Sequence, residues 1–438
     1  MSGAAAFGNI FRIPELKKKV FFTLALLVVY RIGAHIPTPG INSVALAEIM
    51  SRMTGTMMGF FDMFSGGALS RLTIFALGIM PYISASIIIQ LMTMVSPYLA
   101  RLKKEGEQGQ KKITQYTRYG TIVLSLVQST GISVGLEAMR SPTGNAVVLE
   151  PGWPFRIMTI LTLTAGCAFL MWLGEQITER GIGNGISLII FSGIVAGTPA
   201  AIFQSMDLMG TGELSVFIML FLMFFMAAVV GMIVFTEGGQ RRITIQYAKR
   251  VVGRKMMGGQ SSHLPLKVNT SGVIPPIFAS SIIMFPATIA QFTTHPWMQN
   301  ISAMLTPGTF VYSLIFIGAI FFFCYFYTAV IFNPVDVADN MKKHGGFVPG
   351  IRPGPKTSTY IDEILSKITF YGAIYLSLVC ILPDYLIRYV NIPFYFGGTS
   401  LLIIVGVSLD TMQQLESHMV MRNYDGFMKK GKLKGRQG

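Results

Sequence analysis

The fold class this sequence predicts is an all-α polytopic membrane protein with ten transmembrane helices, and three observations carry the prediction. Of the 438 residues, 52% are hydrophobic and only 13% charged, where an ordinary soluble domain is about 25% charged. Ten apolar segments come close to the roughly 20 residues a helix needs to cross a bilayer. Of the 35 Lys and Arg residues, 28 fall in alternate loops, the distribution that keeps basic loops in the cytoplasm.

The segments run at about 19–37, 73–95, 115–137, 153–174, 184–206, 214–236, 271–293, 309–332, 369–388 and 397–418. The first follows Lys17, Lys18 and Lys19, as the apolar core of a signal peptide would. It ends in AHIPTPG, without a small-residue cleavage site, and reads as a retained span. The passage into the second, FSGGALSRLTIFALGIMPYISASIIIQL at 64–91, is the most informative in the chain. A short Gly-Gly-interrupted piece carrying Arg71 feeds a spanning segment that has Gly78 and Pro81 near its start. Irregular backbone at membrane depth is tolerated only where protein buries it or where it lines a cavity, so a mobile half-segment feeding a broken span marks a part that opens.

The fifth span opens on GIGNGIS at 181–187. Its glycines do not fit GxGxxG, and no soluble strand–helix unit surrounds them; they predict a tight loop that lets helices approach closely. The seventh carries Pro275, Pro276 and Pro286. Disturbed segments near the start of two five-span halves, 1–206 and 207–438, point to an inverted repeat with the working site between the halves.

The net charge of +15 is accounted for by this orientation, with both termini cytoplasmic, and calls for no nucleic-acid ligand. Two cytoplasmic loops are long enough to be functional or disordered. In 237–267 the ITIQYA core alternates apolar and polar residues, which predicts a strand or hairpin. In 333–368 the run GGFVPGIRPG predicts a shaped turn, since Gly and Pro set specific backbone angles.

Enzyme chemistry finds no support. Cys167, Cys324 and Cys380 lie inside apolar segments without CxxC spacing and read as small core residues. The five histidines are scattered and predict no metal site. GFMKKGK at 426–432 starts like a phosphate-binding loop, but Leu433 stands where Ser or Thr must hold magnesium. No cofactor is expected. Arg31, Arg118, Asp410 and Glu416 lie toward span ends and read as groups that snorkel to the interface. Clean span centres argue against a proton- or sodium-coupled transporter, because such routes run through mid-membrane ionisable groups. Isoleucine is the ambiguous signal: Ile79 and Ile83, like Ile186 and Ile190, share a helix face at i,i+4. Branched apolar side chains can gate a pore by dewetting or can simply pack.

Several stretches together resemble the SecY family of protein-translocon channel subunits over essentially the full length. They are RIGAHIPTPG at 31–40, MFSGGALS at 63–70, IFALGIMPYISASIIIQL at 74–91, ITERGIGNGISLIIF at 177–191 and QYAKRVVGR at 246–254. LPLKVNTSGVIPPIFASSIIMFPATIA at 264–290, GGFVPGIRPG at 345–354 and GGTSLLIIVGVSLD at 397–410 complete the set. The likeness is to proteobacterial members.

The resemblance implies two pseudo-symmetric five-helix halves around an hourglass pore in the bacterial cytoplasmic membrane. Unfolded, signal-bearing polypeptides would cross the pore, and transmembrane segments would leave it sideways into lipid. By family correspondence the pore ring would be Ile79, Ile83, Ile186, Ile190, Ile277 and Ile403, and the plug about Gly59–Ser70, including Phe64, Ser65, Gly66 and Gly67. Gly66 and Gly67 would weaken a helix there and ease its displacement. The lateral gate, between spans 2 and 3 and spans 7 and 8, would include Ser84, Ile87, Gln128, Asn269, Phe285 and Ile289, with Gln128 and Asn269 hydrogen-bonding when closed. Arg254, Lys255 and Arg352 would dock a motor or a ribosome. The implied partners are SecE and SecG in a heterotrimer, the SecA ATPase, the ribosome, SecDF and YidC, signal peptides and nascent chains, and lipid. Two other readings stay open on the residues: a small-solute secondary transporter, which would need a mid-membrane polar cluster, and an insertase, which would need a hydrophilic groove.

Overall fold

The computed structural model describes residues 13–53, 59, 62, 64–139, 145–212, 215–247, 250–252, 255–257, 261–291, 304–305, 308–390 and 398–430. The helices are α1 (Pro14–Gly33), α2 (Ser43–Met53), α3 (Met80–Val95), α4 (Pro97–Lys104), α5 (Glu107–Ala138), α6 (Trp153–Arg180), α7 (Gly185–Gly210) and α8 (Val216–Gly238). After strands β1 (Gln240–Tyr247), β2 (Arg250–Val252), β3 (Lys255–Met257) and β4 (Ser261–Lys267) come α9 (Ile274–Gln291), α10 (Phe310–Ile331) and α11 (Pro334–Lys343). Strand β5 (Gly346–Phe347), α12 (Pro355–Val390) and α13 (Gly398–Lys430) complete the order.

Every span expected from the sequence overlaps a helix. Among the described residues six helices are long and apolar enough to cross a membrane, or seven if α3 and α4, which meet at a 99° bend, count as one span. Large aromatic side chains on α8 face outward, Phe235 at 85% exposure, a position tenable in hydrocarbon and unfavourable in water.

The chain divides into two compact units, one of Met1–Asp207, Met284–Ala303 and Val407–Gly438, the other of Leu208–Ile283 and Met304–Gly406. In the first, α3 and α6 pack on α5, and α1 packs on α6. The buried stripe of α5 is Thr117, Thr121, Ser125, Ser129 and Ser133, one residue every fourth position and so one face of the helix. Each hydroxyl bonds to a carbonyl of its own preceding turn. The stripe is therefore small and internally satisfied, the surface that allows close helix approach in membranes. Beside it, Arg118, which the sequence reads as a group that snorkels to the interface, also has a partner inside the protein. Its Nε and Nη2 both lie 2.8 Å from the carboxylate of Glu175 on α6, a two-point pairing that outcompetes water for a planar guanidinium.

Glycines set the tightest approaches. A Cβ on Gly166 of α6 would overlap the carbonyl oxygen of Ile74, and one on Gly185 would overlap that of Gly174. The GIGNGIS loop thus does what its composition predicts: Gly183 N–H donates to Gln414 Oε1 at 2.9 Å and Ile182 N–H to Thr23 Oγ1 at 3.1 Å. The three cysteines are free and buried, and no group of metal ligands occurs among the described residues.

In the second unit, α10 and α11 pack on α12. The two long loops that look separate in sequence join one antiparallel sheet of order β4-β1-β5, with Ile243↔Leu264 and Gln246↔Phe347 in register. Ile243, Ile245 and Leu266 of the sheet bury against Met341, Val348, Ile361 and Leu365. The alternation read in ITIQYA is this buried face.

Gly166→Ala is expected to lower the melting temperature of the detergent-solubilised protein, by about 1–3 kcal/mol of overpacking. Gly197→Ala, where a new Cβ would meet nothing, is the control and should leave the midpoint unchanged or raised. Equal midpoints for the two variants would contradict the close Gly166–Ile74 approach.

Candidate functional site

Residues 64–79 make the site, and the reason is what the backbone does there. The sequence predicts a span from about Thr73, yet α3 begins only at Met80. Gly78 adopts φ +56°, a left-handed conformation that glycine tolerates and a helix does not, and Pro81 takes the first helical turn, where its missing N–H costs nothing. At 16 residues α3 spans about 24 Å, short of the ~30 Å hydrocarbon core. The irregular stretch before it is closed off by protein: Leu72, Thr73, Phe75, Ala76 and Leu77 are all buried.

Many of its polar groups find partners in place. Ile74 N–H donates to Ile36 O at 3.0 Å and Thr38 N–H to Leu72 O at 2.9 Å, which ties the stretch to the chain after α1. Thr73 N–H donates to Ala68 O and Gly78 N–H to Phe75 O. Leu72, at φ 40°, is the single non-glycine with positive φ among the described residues, a strained conformation of the kind that clusters at functional sites.

The preceding turn is held from three sides. Tyr30 O–H donates to Ser65 O at 3.0 Å and Arg31 Nη1 to Gly66 O at 3.3 Å. Asp62 Oδ1 accepts from Ser70 N–H at 2.7 Å, and Asp62 O accepts from Gly67 N–H and from Ser65 Oγ, each at 2.9 Å. Gly66 lies against α7, where a Cβ on it would come within 2.8 Å of Gly193 Cα. The sequence reading of Gly66 and Gly67 as helix weakeners is corrected here. They follow the last helical residue, at φ +67° and +81°, and shape a turn that other residues could not make. Asp62, Tyr30 and Gly193 were missed, since nothing in their spacing connects them to 64–67.

Phe64 and Ser65 meet Leu77, Gly78, Ile79, Met80, Ile83 and Ile190 around a cavity of about 10 Å³. That is near the minimum for one water, and apart from Ser65 the side chains around it are apolar. Ile79, Ile83 and Ile190 therefore converge with the turn. Ile186 does not join them; it is half-buried with its Cδ1 over Gly174. Ile277 and Ile403 are buried in the second unit, 7% and 1% exposed.

Of the expected gate residues, Ile87 is buried and Ser84 half-buried on α3. Gln128 and Asn269, expected to hydrogen-bond when the gate is closed, differ in their local partners. Gln128 Oε1 is closed off without a donor among the described residues. Asn269 Nδ2 donates to Glu237 Oε1 at 2.6 Å and to Gly272 O at 3.0 Å, and Ser271 Oγ donates to Asn269 Oδ1 at 3.1 Å. Glu237, too, was missed. The side chains of Phe285, Ile289 and Lys255, all of Arg254, and residues 60, 61 and 63 of the expected plug lie outside the described residues. Arg352 is exposed in the turn between β5 and α12, its carbonyl accepting from Thr357 Oγ1 at 3.1 Å.

Burial pushes the Asp62 carboxyl above the usual carboxylate range, against the hydrogen bonds from Ser70 and Ser65. A raised value means the seated turn binds a proton more tightly than a released one. Seating is therefore strongest below the free carboxyl value of about 3.9 and weakens as pH rises through the raised value. Measured relative to an exposed cysteine labelled in parallel, which removes the pH dependence of thiolate formation, labelling of Ala68→Cys by a water-soluble maleimide should accelerate from acid to neutral pH, and adding Asp62→Asn should flatten that relative profile at the slow rate. A pH-independent relative rate with Asp62 intact would contradict this account.

Comparison with known proteins adds the following. A family model described as SecY matches residues 73–412. The protein translocase subunit SecY of Escherichia coli (strain K12) is 53% identical over 427 residues, covering 97% of this chain and 96% of that one. A solved structure described as that of a protein conducting channel superposes with a TM-score of 0.65 at 17% identity, covering 92% of each chain. Another, concerned with the plug domain of a SecY protein that stabilises the closed state of its channel, gives a TM-score of 0.63 at 20% identity and covers 92% of each chain.

Proposed function

The chain belongs to the SecY family, and from that premise we propose that it is the protein-conducting subunit of a translocase, passing unfolded, signal-bearing polypeptides across the bacterial cytoplasmic membrane. It is a channel and not an enzyme. What most supports the reading is the convergence of Phe64 and Ser65 with Ile79, Ile83 and Ile190 around one small cavity, which seats the expected plug turn beside three of the expected ring residues.

In this reading ten transmembrane helices form two five-helix halves, 1–206 and 207–438, around an hourglass pore, with both termini in the cytoplasm. Ile79, Ile83, Ile190, Ile277 and Ile403 form a ring of stiff, β-branched side chains, which Ile186 completes only by leaving its place over Gly174; the ring closes around an extended polypeptide and, when empty, excludes water by dewetting. The turn at 64–67 is the centre of the plug. A signal sequence gains about 0.8 kcal/mol per CH2 placed in lipid, enough to open a lateral gate whose closed state is favoured by a few kcal/mol. Ser84, Ile87, Gln128, Asn269, Phe285 and Ile289 line that gate, and transmembrane segments leave through it.

SecE and SecG complete the heterotrimer, and SecDF and YidC act alongside it. SecA and the ribosome dock on the sheet side of the second unit, where Arg241, Arg242 and Arg352 are exposed and Arg254 and Lys255 belong to the same loop. No cofactor is needed. The clean span centres leave the alternative of a coupled solute transporter without a proton path.

Two measurements test this. A photo-crosslinker at Ile83 in the reconstituted complex, with a secretory precursor stalled in transit, should give adducts that vanish when the signal sequence is deleted. No adducts during confirmed translocation would move the path elsewhere in the protein. Ile403→Asn should raise export of a signal-defective precursor, because a polar residue destabilises a dry closed ring; unchanged export would remove Ile403 from the ring.

A further inference from the structure

The β1–β4 hairpin has two feet, and the same two residues close both. Helix α8 ends at Gly238 and β1 starts at Gln240; β4 ends at Lys267. Gln240↔Lys267 is the outermost pair of the ladder, and Val268 N–H donates to Gly239 O at 3.0 Å just beyond it. One step further out, Asn269 Nδ2 donates to Glu237 Oε1 at 2.6 Å.

Asn269 is 3% exposed and its amide is fully committed. Its NH2 reaches Glu237 Oε1 and Gly272 O, and its oxygen accepts from Ser271 Oγ. A flipped amide would face two acceptors with its oxygen, so the network fixes its orientation. The bond to a carboxylate is the strong member, since an ionised acceptor roughly doubles the strength of a hydrogen bond. Glu237 also stands in the last turn of α8, where the helix end is already electronegative, which gives the carboxylate a further reason to hold a donor. Behind the loop, α12 presents Gly372, where a Cβ would come within 3.2 Å of Val268 O; the loop has no room to retreat.

We propose that Glu237 is a positioning residue that clasps Asn269 to the foot of the β1–β4 hairpin, so that tilting the hairpin releases the Asn269 amide. The inference deepens the gate reading above and rests on it. The hairpin carries exposed Arg241 and Arg242 on β1, a cationic handle for the anionic surface of a docking partner. Force applied there acts across the base of the ladder, and the outermost bond at that base is the Glu237–Asn269 clasp. While it holds, Asn269 is turned inward upon its own unit. Once it breaks, a buried amide has lost its strongest partner and must find another, and α9, which starts at Ile274, is free to shift with it. In this way occupation of the sheet is converted into gate opening.

The test uses the full chain with its partner subunits in membranes and compares export of a precursor bearing an intact signal sequence with the same precursor bearing a defective one. Glu237→Ala should raise the defective-to-intact ratio roughly tenfold, the size expected for loss of a hydrogen bond to a charged group. Glu237→Gln, which keeps an acceptor without the charge, should raise it less. The effects of Glu237→Ala and Asn269→Ala should be less than additive in the double variant, since the clasp is lost in each, while Asn269→Ala also removes the bonds to Gly272 and Ser271. An unchanged ratio in Glu237→Ala or, should that variant not assemble, in Glu237→Gln, with normal export of the intact precursor, would overturn the proposal. So would additive effects in the double variant. Failure of the unaltered chain to export the intact precursor would count against the channel reading instead.

Discussion

Inside a bilayer every backbone N–H and C=O must find its partner within the protein, and residues 64–79 are where that constraint is hardest to meet. A continuous helix would meet it automatically. Here the chain abandons the helix for some fifteen residues and meets it piecewise: through Ile36 and Thr38 of the strand-like crossing, through Asp62, and through Tyr30 and Arg31. A segment secured by a handful of discrete bonds differs from a helix in a useful way. In the plug role proposed above, it would be released as one piece when a few of them break, because no long cooperative ladder has to melt.

The surrounding helices are shaped to accept that segment. Close backbone approach is the condition, and it is achieved by removing side chains: Gly166 against Ile74, Gly193 against Gly66, and the hydroxyl stripe of α5 against its neighbours. Each hydroxyl in the stripe is occupied by its own helix, so none competes for the carbonyls of residues 64–79. Charges are handled by the same economy. Arg118 finds Glu175, and Glu137 binds Arg156 and the Gly152 N–H together, so polar groups at helix ends are paired across helices.

The sheet gives the second unit a different character. Two basic loops become one three-stranded surface because Gln246 and Tyr247 pair with Phe347 and Gly346, and a small apolar core under the sheet fixes it to α12. A rigid surface rooted at Gly239 and Val268 transmits tilt where flexible loops would absorb it. The chain itself thereby joins the sheet to Asn269, through a two-residue step from the end of β4.

Much of this was legible in the residues. Hydropathy located the helices, because a lipid environment demands long apolar runs whatever the packing. Gly78 and Pro81 marked the broken span, and the ITIQYA alternation marked the hairpin, because backbone preference and face periodicity are local properties. The isoleucines and the GIGNGIS loop were conspicuous for the same reason. What the sequence left open depends on distance in space. Only the tertiary structure set Ile79, Ile83 and Ile190 around one small cavity while turning Ile186 toward Gly174. Only it paired Arg118 with Glu175 and Asn269 with Glu237, partners 57 and 32 residues apart. Local rules fix which conformations a stretch of chain can adopt, whereas a hydrogen bond or a packed face is a property of two stretches, and their meeting is decided by the whole fold.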